Sequence, residues 1–445
     1  MQTAKPLHAD YLAAALDGAF DGLVPLQARG RVIEAIGTMV RAKGMNARVG
    51  DVCELRGPDS SWRLHAEVVG MARDSTLLMP FGELQGISSE IEVINLGQPP
   101  SIKVGDALLG RVLDGFGQPL DDGGPIPAQA EYPIHARAPH PLARRKIDQP
   151  LWLGVRAIDG LLTCGVGQRL GIFAPAGVGK SSLLHMIAQG AQADIAVIGL
   201  IGERGREVGE FVQHMMATPH AARCVYVVAT SDRPAVERAK AAGVATAVAE
   251  YFRDQGRSVL LLVDSITRYA RALRDIGLAT GEPPTRRGYP PSVFAALPRL
   301  FERAGQSDRG AITAFYTVLV DDEETSDPIG EEARATLDGH IVLARPLAAA
   351  NHYPAIDIGK SRSRVMQHVA PADLQDIAGQ ARQLLAKYES IETLLQIGEY
   401  RPGNDPAADR AVRCIDALRS FLKQRPHECA DGRDMATRLR EALHE

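Results

Sequence analysis

The chain has 445 residues, 45 % of them hydrophobic, and a formal net charge of −4 from 50 basic and 54 acidic residues. This length allows two or three cores, and the near balance of charge provides no global field for a phosphate backbone, so we expect no nucleic acid partner. The five cysteines are scattered without C-x-x-C spacing, which indicates reduced thiols and a cytoplasmic protein rather than a disulfide framework or a zinc site.

The N-terminal residues 1–26 form a poor signal peptide, because Lys5 is followed by an early Asp10 and only a short apolar stretch. No apolar run in the chain approaches the roughly 18 residues of a membrane-spanning helix. We therefore expect any membrane contact to be peripheral. The segment YLAAALDGAF is predicted to be a short amphipathic docking helix, or alternatively a frayed terminus.

Residues 27–97 are predicted to form a small all-β domain. In SWRLHAEVVG, apolar Leu64, Ala66 and Val68 alternate with polar residues, which is the period of a half-buried strand. RVIEAIGTMV, GDVCEL and STLLMPF repeat such runs between glycine-containing turns. We therefore predict a β-barrel.

Residues 98–370 change in character. A connector over 115–150 is dense in Gly and Pro and is predicted to hold no long helix or central strand. After it, the apolar runs RLGIFA, IAVIGLIG, CVYVVAT and SVLLLVD alternate with helical patterns. This alternation predicts βαβ units on a parallel sheet.

Residues 371–445 are predicted to form a helical domain. One helix starts at Pro371 and ends by Gly398, and a second is capped by Asn404 or Asp405 ahead of Pro406. In the preceding run DDEETSDPIGEE, Asp327 is predicted to cap another helix. A role of this run in gripping substrate near a central pore is the alternative.

The stretch APAGVGKSS follows an apolar strand and precedes a helical pattern, the context of a P-loop. Its two glycines let backbone N–H groups turn toward phosphate oxygens, and the following helix adds its positive end. Lys180 is predicted to reach the β- and γ-phosphates, and the Ser181 hydroxyl to bind Mg²⁺. Ala174 in place of the first Gly, and Pro175, depart from the simplest motif. The predicted nucleotide-binding residues here are Pro175, Ala176, Gly177, Val178, Gly179, Lys180, Ser181 and Ser182.

Two acidic residues follow predicted strands. Asp264 ends SVLLLVD at the carboxyl edge of the predicted sheet, where it is either a Mg²⁺ ligand or a helix cap. Glu203 follows IAVIGLI at the same edge, where a carboxylate would orient the attacking water; the alternative is one charge of a solvated loop. Four residues after Asp264, Arg268 either faces the γ-phosphate or lies on a helix surface.

Read together, these segments carry a family resemblance. GIFAPAGVGKS, IGLIGERGREV, LLLVDSITRYARA, LDGHIVLARPLAAANHYPAID and SRSRVM resemble the ATPases of bacterial type III protein export, flagellar and injectisome, which are related to the catalytic subunit of F-type ATP synthase. The resemblance implies an α/β fold: a RecA-like P-loop ATPase core with an N-terminal β-barrel domain and a C-terminal helical domain. DGLLTCGVGQRLGIF and YESIETLLQIGEYRPGNDPAADRA look more like the injectisome branch.

The resemblance also implies roles for individual residues. Glu203 matches the catalytic glutamate, with Lys180, Arg204 and Arg268 as further catalytic residues, and Asp264 matches the Walker-B aspartate that holds Mg²⁺ with Ser181. Tyr353 matches the aromatic residue that stacks on adenine.

Arg364 matches an arginine that enters a neighbouring subunit's site. In SRSRVM, Arg362 replaces an apolar residue of the family pattern, and it would share a face with Arg364 if the segment is extended. We predict that Arg364 is the trans-acting residue. A monomer is then expected to be nearly inactive.

The function implied is Mg²⁺-dependent ATP hydrolysis in a homohexamer that energises protein export, including chaperone release and effector unfolding. The implied partners are a stator at the N-terminal segment, a central stalk protein, chaperone–effector complexes and the inner-membrane export apparatus. A flagellar export ATPase, a RecA-like hexameric RNA helicase and a non-catalytic ring subunit are the alternatives. The lack of interleaved aromatic and basic residues in the predicted β-domain disfavours the helicase.

Overall fold

The computed structural model describes residues 28–58, 62–320 and 327–443. The chain divides into two compact units, with the boundary between Pro99 and Pro100. The predicted N-terminal docking helix lies outside the described residues, as do Asp321–Ser326 of the acidic run. No helix within the described ranges combines the length and apolar character needed to cross a bilayer.

The first unit contains a closed six-stranded antiparallel barrel, as predicted. Its interior holds alternating residues, such as Ala66 and Val68, which are fully buried on one strand. Glycine 37, with φ of +60°, forms the turn that splits the predicted run RVIEAIGTMV into two strands. The barrel strands are β1 (Arg29–Ile36), β2 (Met39–Lys43), β3 (Val52–Arg56), β4 (Arg63–Ala72), β5 (Ser75–Pro80) and β6 (Glu92–Asn95).

The second unit is built on a nine-stranded sheet. Its remaining strands form two small pairs outside this sheet. The strands are β7 (Ser101–Val104), β8 (Val112–Asp114), β9 (Ala130–Pro133), β10 (Pro150–Leu151), β11 (Cys164–Gly165), β12 (Arg169–Ala174), β13 (Ile195–Ile201), β14 (Cys224–Ala229), β15 (Ser258–Asp264), β16 (Gly305–Gln306), β17 (Ala311–Leu319), β18 (Gly339–Leu343) and β19 (Ile356–Ser363).

Helices cover both faces of this sheet and form the C-terminal region. They are α1 (Arg156–Leu161), α2 (Lys180–Gly190), α3 (Gly205–Met216), α4 (Ala235–Asp254), α5 (Ile266–Ala279), α6 (Pro291–Phe301), α7 (Pro328–Thr336), α8 (Arg345–Ala349), α9 (Met366–Val369), α10 (Ala372–Gln396), α11 (Pro406–Leu422) and α12 (Met435–Ala442).

The order of strands across the sheet is β19-β18-β12-β17-β15-β13-β14-β8, with β16 paired to β17. The strands from β18 to β8 run parallel, whereas β19 and β16 are antiparallel to their neighbours. The prediction of a parallel sheet is therefore correct for its centre and wrong for its edge. Residues 344–355 join β18 to β19 at the outer edge of the sheet. A strand that turns back beside its predecessor in this way runs antiparallel to it.

The sheet centre is buried on both faces, which explains its continuous apolar runs. In β15, Leu260 and Leu262 belong to one core, whereas Leu261 and Val263 belong to the other. Residues of α10, α11 and α12 share the first core with the sheet, so the predicted helical domain is present. Between residues 115 and 150 there are only short elements, in agreement with the predicted connector.

Several local predictions are also confirmed. The Asp327 side chain accepts a hydrogen bond of 3.0 Å from the Gly330 N–H at the start of α7. Asp405, rather than Asn404, caps α11, because its carboxylate accepts from two N–H groups of the first turn. All five cysteines are free.

Candidate active site

The P-loop joins β12 to α2, as the sequence predicts. Gly177 and Gly179 have φ of +81° and +88°, a conformation that side chains with a Cβ rarely adopt. Val178 is buried between them and anchors the loop. Gly179 lacks a side chain to cap the helix, so the first N–H groups of α2 remain directed at the loop, where they suit an anion.

Four neighbouring strands bring polar residues to one edge of the sheet. The P-loop follows β12, Thr317 lies near the end of β17, Asp264 ends β15 and Glu203 follows β13. Because β12, β17, β15 and β13 are adjacent and parallel, their carboxyl ends meet at the same edge. Open α/β sheets bind ligands in this position.

Lys180 stands between the two acidic residues. Its ammonium lies 3.1 Å from Oε1 of Glu203 and contacts Oδ1 of Asp264 in a short hydrogen bond. The three side chains are 13 %, 9 % and 5 % exposed, respectively. Burial disfavours the charge of Lys180, but the two carboxylates outweigh this effect and raise its pKa. Lys180 therefore stays cationic in this pocket.

Arg268 supplies a second cation. Its Nε lies 3.5 Å from Oε1 of Glu203, is buried, and donates no hydrogen bond to the described residues. The side chain passes so close to Gly202 that an added Cβ there would lie 2.7 Å from Cδ of Arg268. Glycine at position 202 thus allows Arg268 to reach Glu203. Of the two predicted positions of Arg268, the pocket and the helix surface, the structure shows the pocket.

Tyr353 lies at the other side of the P-loop. A Cβ added to Gly179 would lie 3.2 Å from the Tyr353 ring, so the ring rests against the loop. Tyr353 is 37 % exposed, so part of its ring is open to solvent. An exposed aromatic face beside a phosphate-binding loop is suited to stacking on a nucleotide base.

The oxygen donors near the loop fit Mg²⁺, which prefers one or two carboxylates together with substrate phosphates and waters. Ser181 is exposed at the start of α2. The described contacts of the Asp264 carboxylate, from Lys180 and Thr317, both fall on Oδ1. Oδ2 makes no hydrogen bond within the described part of the chain, so it is available to a metal or its water shell.

Three family models match this chain. The nucleotide-binding domain of the ATP synthase alpha/beta family matches residues 154–363, and the beta-barrel domain of the same family matches residues 32–97. The T3SS EscN ATPase C-terminal domain matches residues 370–441. A type 3 secretion system ATPase of Xanthomonas euvesicatoria is 58 % identical over 395 residues, which are 89 % of each chain.

The chain is a type III secretion system ATPase of the ATP synthase alpha/beta family.

Solved structures agree with this assignment. The assembled ATPase EscN of enteropathogenic E. coli has a TM-score of 0.88 at 48 % identity and covers 93 % of this chain and 100 % of its own. EscN in complex with its central stalk EscO gives a TM-score of 0.86 at 49 % identity, with the same coverage. The predicted resemblance to the type III export ATPases and the predicted fold class are both confirmed.

In this secretion ATPase, Arg364 lies far from the P-loop of its own chain. Its N–H donates to the Asp338 carbonyl, and the Asp338 N–H donates to the carbonyl of Arg169, the first residue of β12. The P-loop follows Ala174 at the other end of β12, and at the usual rise of a strand these two ends are roughly 17 Å apart. Arg364 and the P-loop therefore lie at opposite ends of the strands of one sheet.

Arg362 and Arg364 are both exposed at that edge. Arg362 belongs to β19, but the strand ends at Ser363, so the condition under which the two residues share a strand face is not met. The Arg364 guanidinium donates to the Arg334 carbonyl at 3.1 Å. The choice of Arg364 as the trans-acting arginine stays a prediction.

Arg204 is not brought into the cluster. Its side chain is 76 % exposed and its guanidinium lies 2.9 Å from Glu207, one turn along α3. Its neighbour Glu203 is buried and contacts Lys180 instead. The catalytic role of Arg204 stays a prediction, and this arrangement does not support it.

The sequence prediction missed Thr317. This side chain is fully buried, and its hydroxyl donates a 2.6 Å hydrogen bond to Oδ1 of Asp264. The one signal in the sequence is a hydroxyl in the strand AITAFYTVL, which also contains Thr313 and Tyr316. A threonine in a strand is ordinary, and only the pairing of β17 with β15 shows that it faces an acidic residue.

Proposed function

We propose that this ATPase is Mg²⁺-dependent, works as a homohexameric ring and energises protein export by releasing chaperones and unfolding effectors. The proposal of a ring rests on the separation of Arg364 from the P-loop of its own chain. Arg364 lies at the amino ends of the strands, and the P-loop lies at their carboxyl ends. Arg364 can serve catalysis only if it meets the P-loop of a neighbouring copy. The proposal therefore requires shared sites.

Within one chain, Lys180 and Arg268 supply positive charge to the bound ATP substrate. Glu203 accepts a hydrogen bond from the attacking water and holds it in line with the γ-phosphate. The two cations beside Glu203, Lys180 and Arg268, keep its carboxylate oriented. When ATP enters, Lys180 exchanges its carboxylate contacts for phosphate oxygens, which frees Glu203 for water.

Ser181 and Asp264 would hold Mg²⁺. When bound, the metal neutralises charge on the phosphates. Thr317 contributes by fixing one oxygen of Asp264, so that the other is presented toward the P-loop. Tyr353 would stack on adenine, and the backbone of residues 175–182 would surround the phosphates.

The neighbouring copy supplies Arg364. Negative charge develops on the transferring phosphoryl group, and a guanidinium placed there at that moment lowers the barrier. An arginine supplied in this way contributes about 10³–10⁵ in kcat in other phosphoryl-transfer enzymes. A lone chain lacks this charge and is expected to turn over slowly.

The relatives support the assembly. EscN, about half identical to this chain, is solved in an assembled form and with a central stalk protein, EscO. We propose an equivalent central stalk here, together with a stator that binds residues 1–26, chaperone–effector complexes as clients, and peripheral association with the cytoplasmic face of the inner membrane through the export apparatus. The domain bounds proposed are 1–26, 27–97, 98–370 and 371–445.

Shared sites are tested by complementation. Arg364→Ala and Glu203→Gln should each be inactive alone. Mixing them should restore turnover, because a site that combines the Glu203 of one copy with the Arg364 of the other is intact. The matched control is Lys180→Ala mixed with Glu203→Gln, which damages the same edge of the sheet in both copies and should restore nothing.

Protein concentration provides the second readout. Specific ATPase activity of the wild type should rise with concentration as the ring assembles. Activity that stays flat with concentration and is unaffected by Arg364→Ala would show that the site is complete in one chain, and the ring proposal would then be wrong.

A further inference from the structure

Gln424 occupies a buried junction outside the reaction centre. It follows α11 and is 4 % exposed. Its side-chain oxygen accepts from the Arg156 N–H at 2.8 Å, and its side-chain nitrogen donates to the carbonyls of Gly154 and Glu428 at 2.7 Å each. A glutamine so fully bonded has one position only, because each alternative leaves buried polar groups without partners.

The backbone of Gln424 extends this junction to the nucleotide site. Its N–H donates a 2.8 Å hydrogen bond to the carbonyl of Tyr353. The Tyr353 ring rests against Gly179 of the P-loop. The position of residue 424 therefore sets the position of the backbone that carries this ring.

The support on which Gln424 stands is rigid. Both carboxylate oxygens of buried Asp159 accept backbone N–H groups, from Leu153 at 2.9 Å and from Gly154 at 2.8 Å. This turn packs against the last residue of α2, since a Cβ added to Gly190 would lie 2.2 Å from the Leu153 carbonyl oxygen. The turn that receives Gln424 is thus fixed to the C-terminal end of the P-loop helix.

These contacts connect the two ends of α2. Gly179 and the Tyr353 ring lie at its start, and Gly190 and the turn over residues 153–156 lie at its end. Gln424 bonds to the backbone carbonyl of Tyr353 and to this turn, so a connection outside the helix links the backbone that carries the ring to the end of α2. Tyr353 is the part of this connection that is open to solvent, and therefore the part that a ligand meets.

We propose that Gln424 is a positioning residue for Tyr353 and thereby sets the affinity for the base of the nucleotide. The inference rests on the proposed stacking of Tyr353 on adenine. Gln424 does not touch the phosphates, so its loss acts on binding of ground state and transition state alike. Such a change raises KM and leaves kcat almost unchanged.

The experiment is a double-mutant cycle on full-length protein, with Gln424→Met, Tyr353→Ala and the double variant, read as KM and kcat for ATP and for UTP. Gln424→Met should raise KM for ATP by about three- to tenfold, as expected for lost hydrogen bonds. It should also lower the preference for ATP over UTP, because stacking is weaker for the smaller pyrimidine. In the Tyr353→Ala background it should have no further effect on KM.

Glu428→Gln is the matched control. Its side chain lies 3.3 Å from Arg156 in the same junction but does not bond to residue 424, which contacts only the Glu428 carbonyl. This variant should leave KM and base preference unchanged. Gln424→Asn is the second variant if Gln424→Met does not fold, because it adds no charge and keeps an amide whose shorter side chain cannot make all three hydrogen bonds.

The outcomes separate the two ideas. If Tyr353→Ala raises KM and the Gln424 variants do not, or if they raise it equally with and without Tyr353, Gln424 has only a structural role and the inference is overturned. If Tyr353→Ala itself leaves KM and base preference unchanged, the proposed stacking on adenine fails, and the inference fails with it.

Discussion

The Thr317 hydroxyl donates a 2.6 Å hydrogen bond to Oδ1 of Asp264, the same oxygen that contacts the Lys180 ammonium. Two donors on one oxygen fix the rotation of the carboxylate, and the other oxygen is left for a different partner. Thr317→Val, which has nearly the same shape, should therefore lower kcat by about tenfold through the misoriented carboxylate. Steady-state ATPase activity as a function of Mg²⁺ concentration measures this.

Thr317→Ser is the control for that variant. It keeps the hydroxyl and should retain most of the activity and the Mg²⁺ dependence of the wild type. Equal activity of the Val and Ser variants would show that the hydrogen bond does not orient Asp264.

Lys180 balances two carboxylates that are almost completely buried. Lys180→Met should abolish turnover and also lower the melting temperature without nucleotide, because Asp264 then loses its cation and Glu203 keeps only the more distant Arg268. Adding Glu203→Gln should recover part of the stability but none of the activity. Thermal unfolding of the three proteins would contradict this reasoning if the second substitution lowered the melting temperature further.

A second buried ion pair lies away from the site. Arg303 donates to both oxygens of Glu250, at 2.9 and 2.6 Å, and both side chains are 4 % exposed. Glu250→Gln leaves a buried guanidinium without its counter-charge, and should lower the free energy of unfolding by about 3–5 kcal/mol. Urea denaturation measures it, with Glu210→Gln, from an exposed pair with Arg206, as a control that should change little.

Gly190 and Gly209 are helical glycines in opposite environments. A Cβ at Gly190 would lie 2.2 Å from the Leu153 carbonyl oxygen, whereas a Cβ at Gly209 would meet nothing within 4 Å. Gly190→Ala should be destabilising and should disturb the P-loop helix, while Gly209→Ala should stabilise α3 by about 0.5–1 kcal/mol. Chemical denaturation of both variants would disprove the close packing if they shifted in the same direction.

His185 in α2 makes the protein sensitive to acid. Its ring stacks on Phe211 at 3.9 Å, and burial, with a smaller effect of His214, lowers its pKa from 6.5 to about 4. Between these values the unfolded chain binds the proton and the folded chain does not, so stability falls as the pH is lowered from 6.5 to 4 and is independent of this group above 6.5.

His185→Gln should therefore make stability less dependent on pH in that window. Denaturation midpoints at pH 7 and pH 5 test it, with the exposed His427→Gln as control. A pH dependence equal to that of the wild type would show that His185 is not the group responsible.

The P-loop was predictable because it is a local pattern. Its glycines, Lys180 and Ser181 lie within residues 177–181, and the structure places this segment between a strand and a helix, as expected. Asp264 and Glu203 were predictable as ends of buried strands, since parallel strands share one carboxyl edge. Their common contact with Lys180 was not, because it depends on the order of strands across the sheet.

Thr317 and Gln424 show what a single sequence cannot provide. Thr317 gains its role because β17 inserts between β12 and β15. Gln424 gains its role from partners about 70 and 270 positions away, at Tyr353 and Gly154. The exposed position of Arg204, next to buried Glu203, follows from the start of α3, which turns consecutive side chains in different directions.

The placement of Lys180 and Arg364 at opposite edges of one sheet has a consequence for mixed populations of subunits. In the proposed ring, every copy completes one site with its P-loop and a second with its arginine. A subunit defective at both edges silences two sites while occupying one place. Such a subunit, expressed beside the wild type, should lower ATPase activity by more than its share of the population, and the proposed ring would thereby be dominantly inhibited by its own damaged copies.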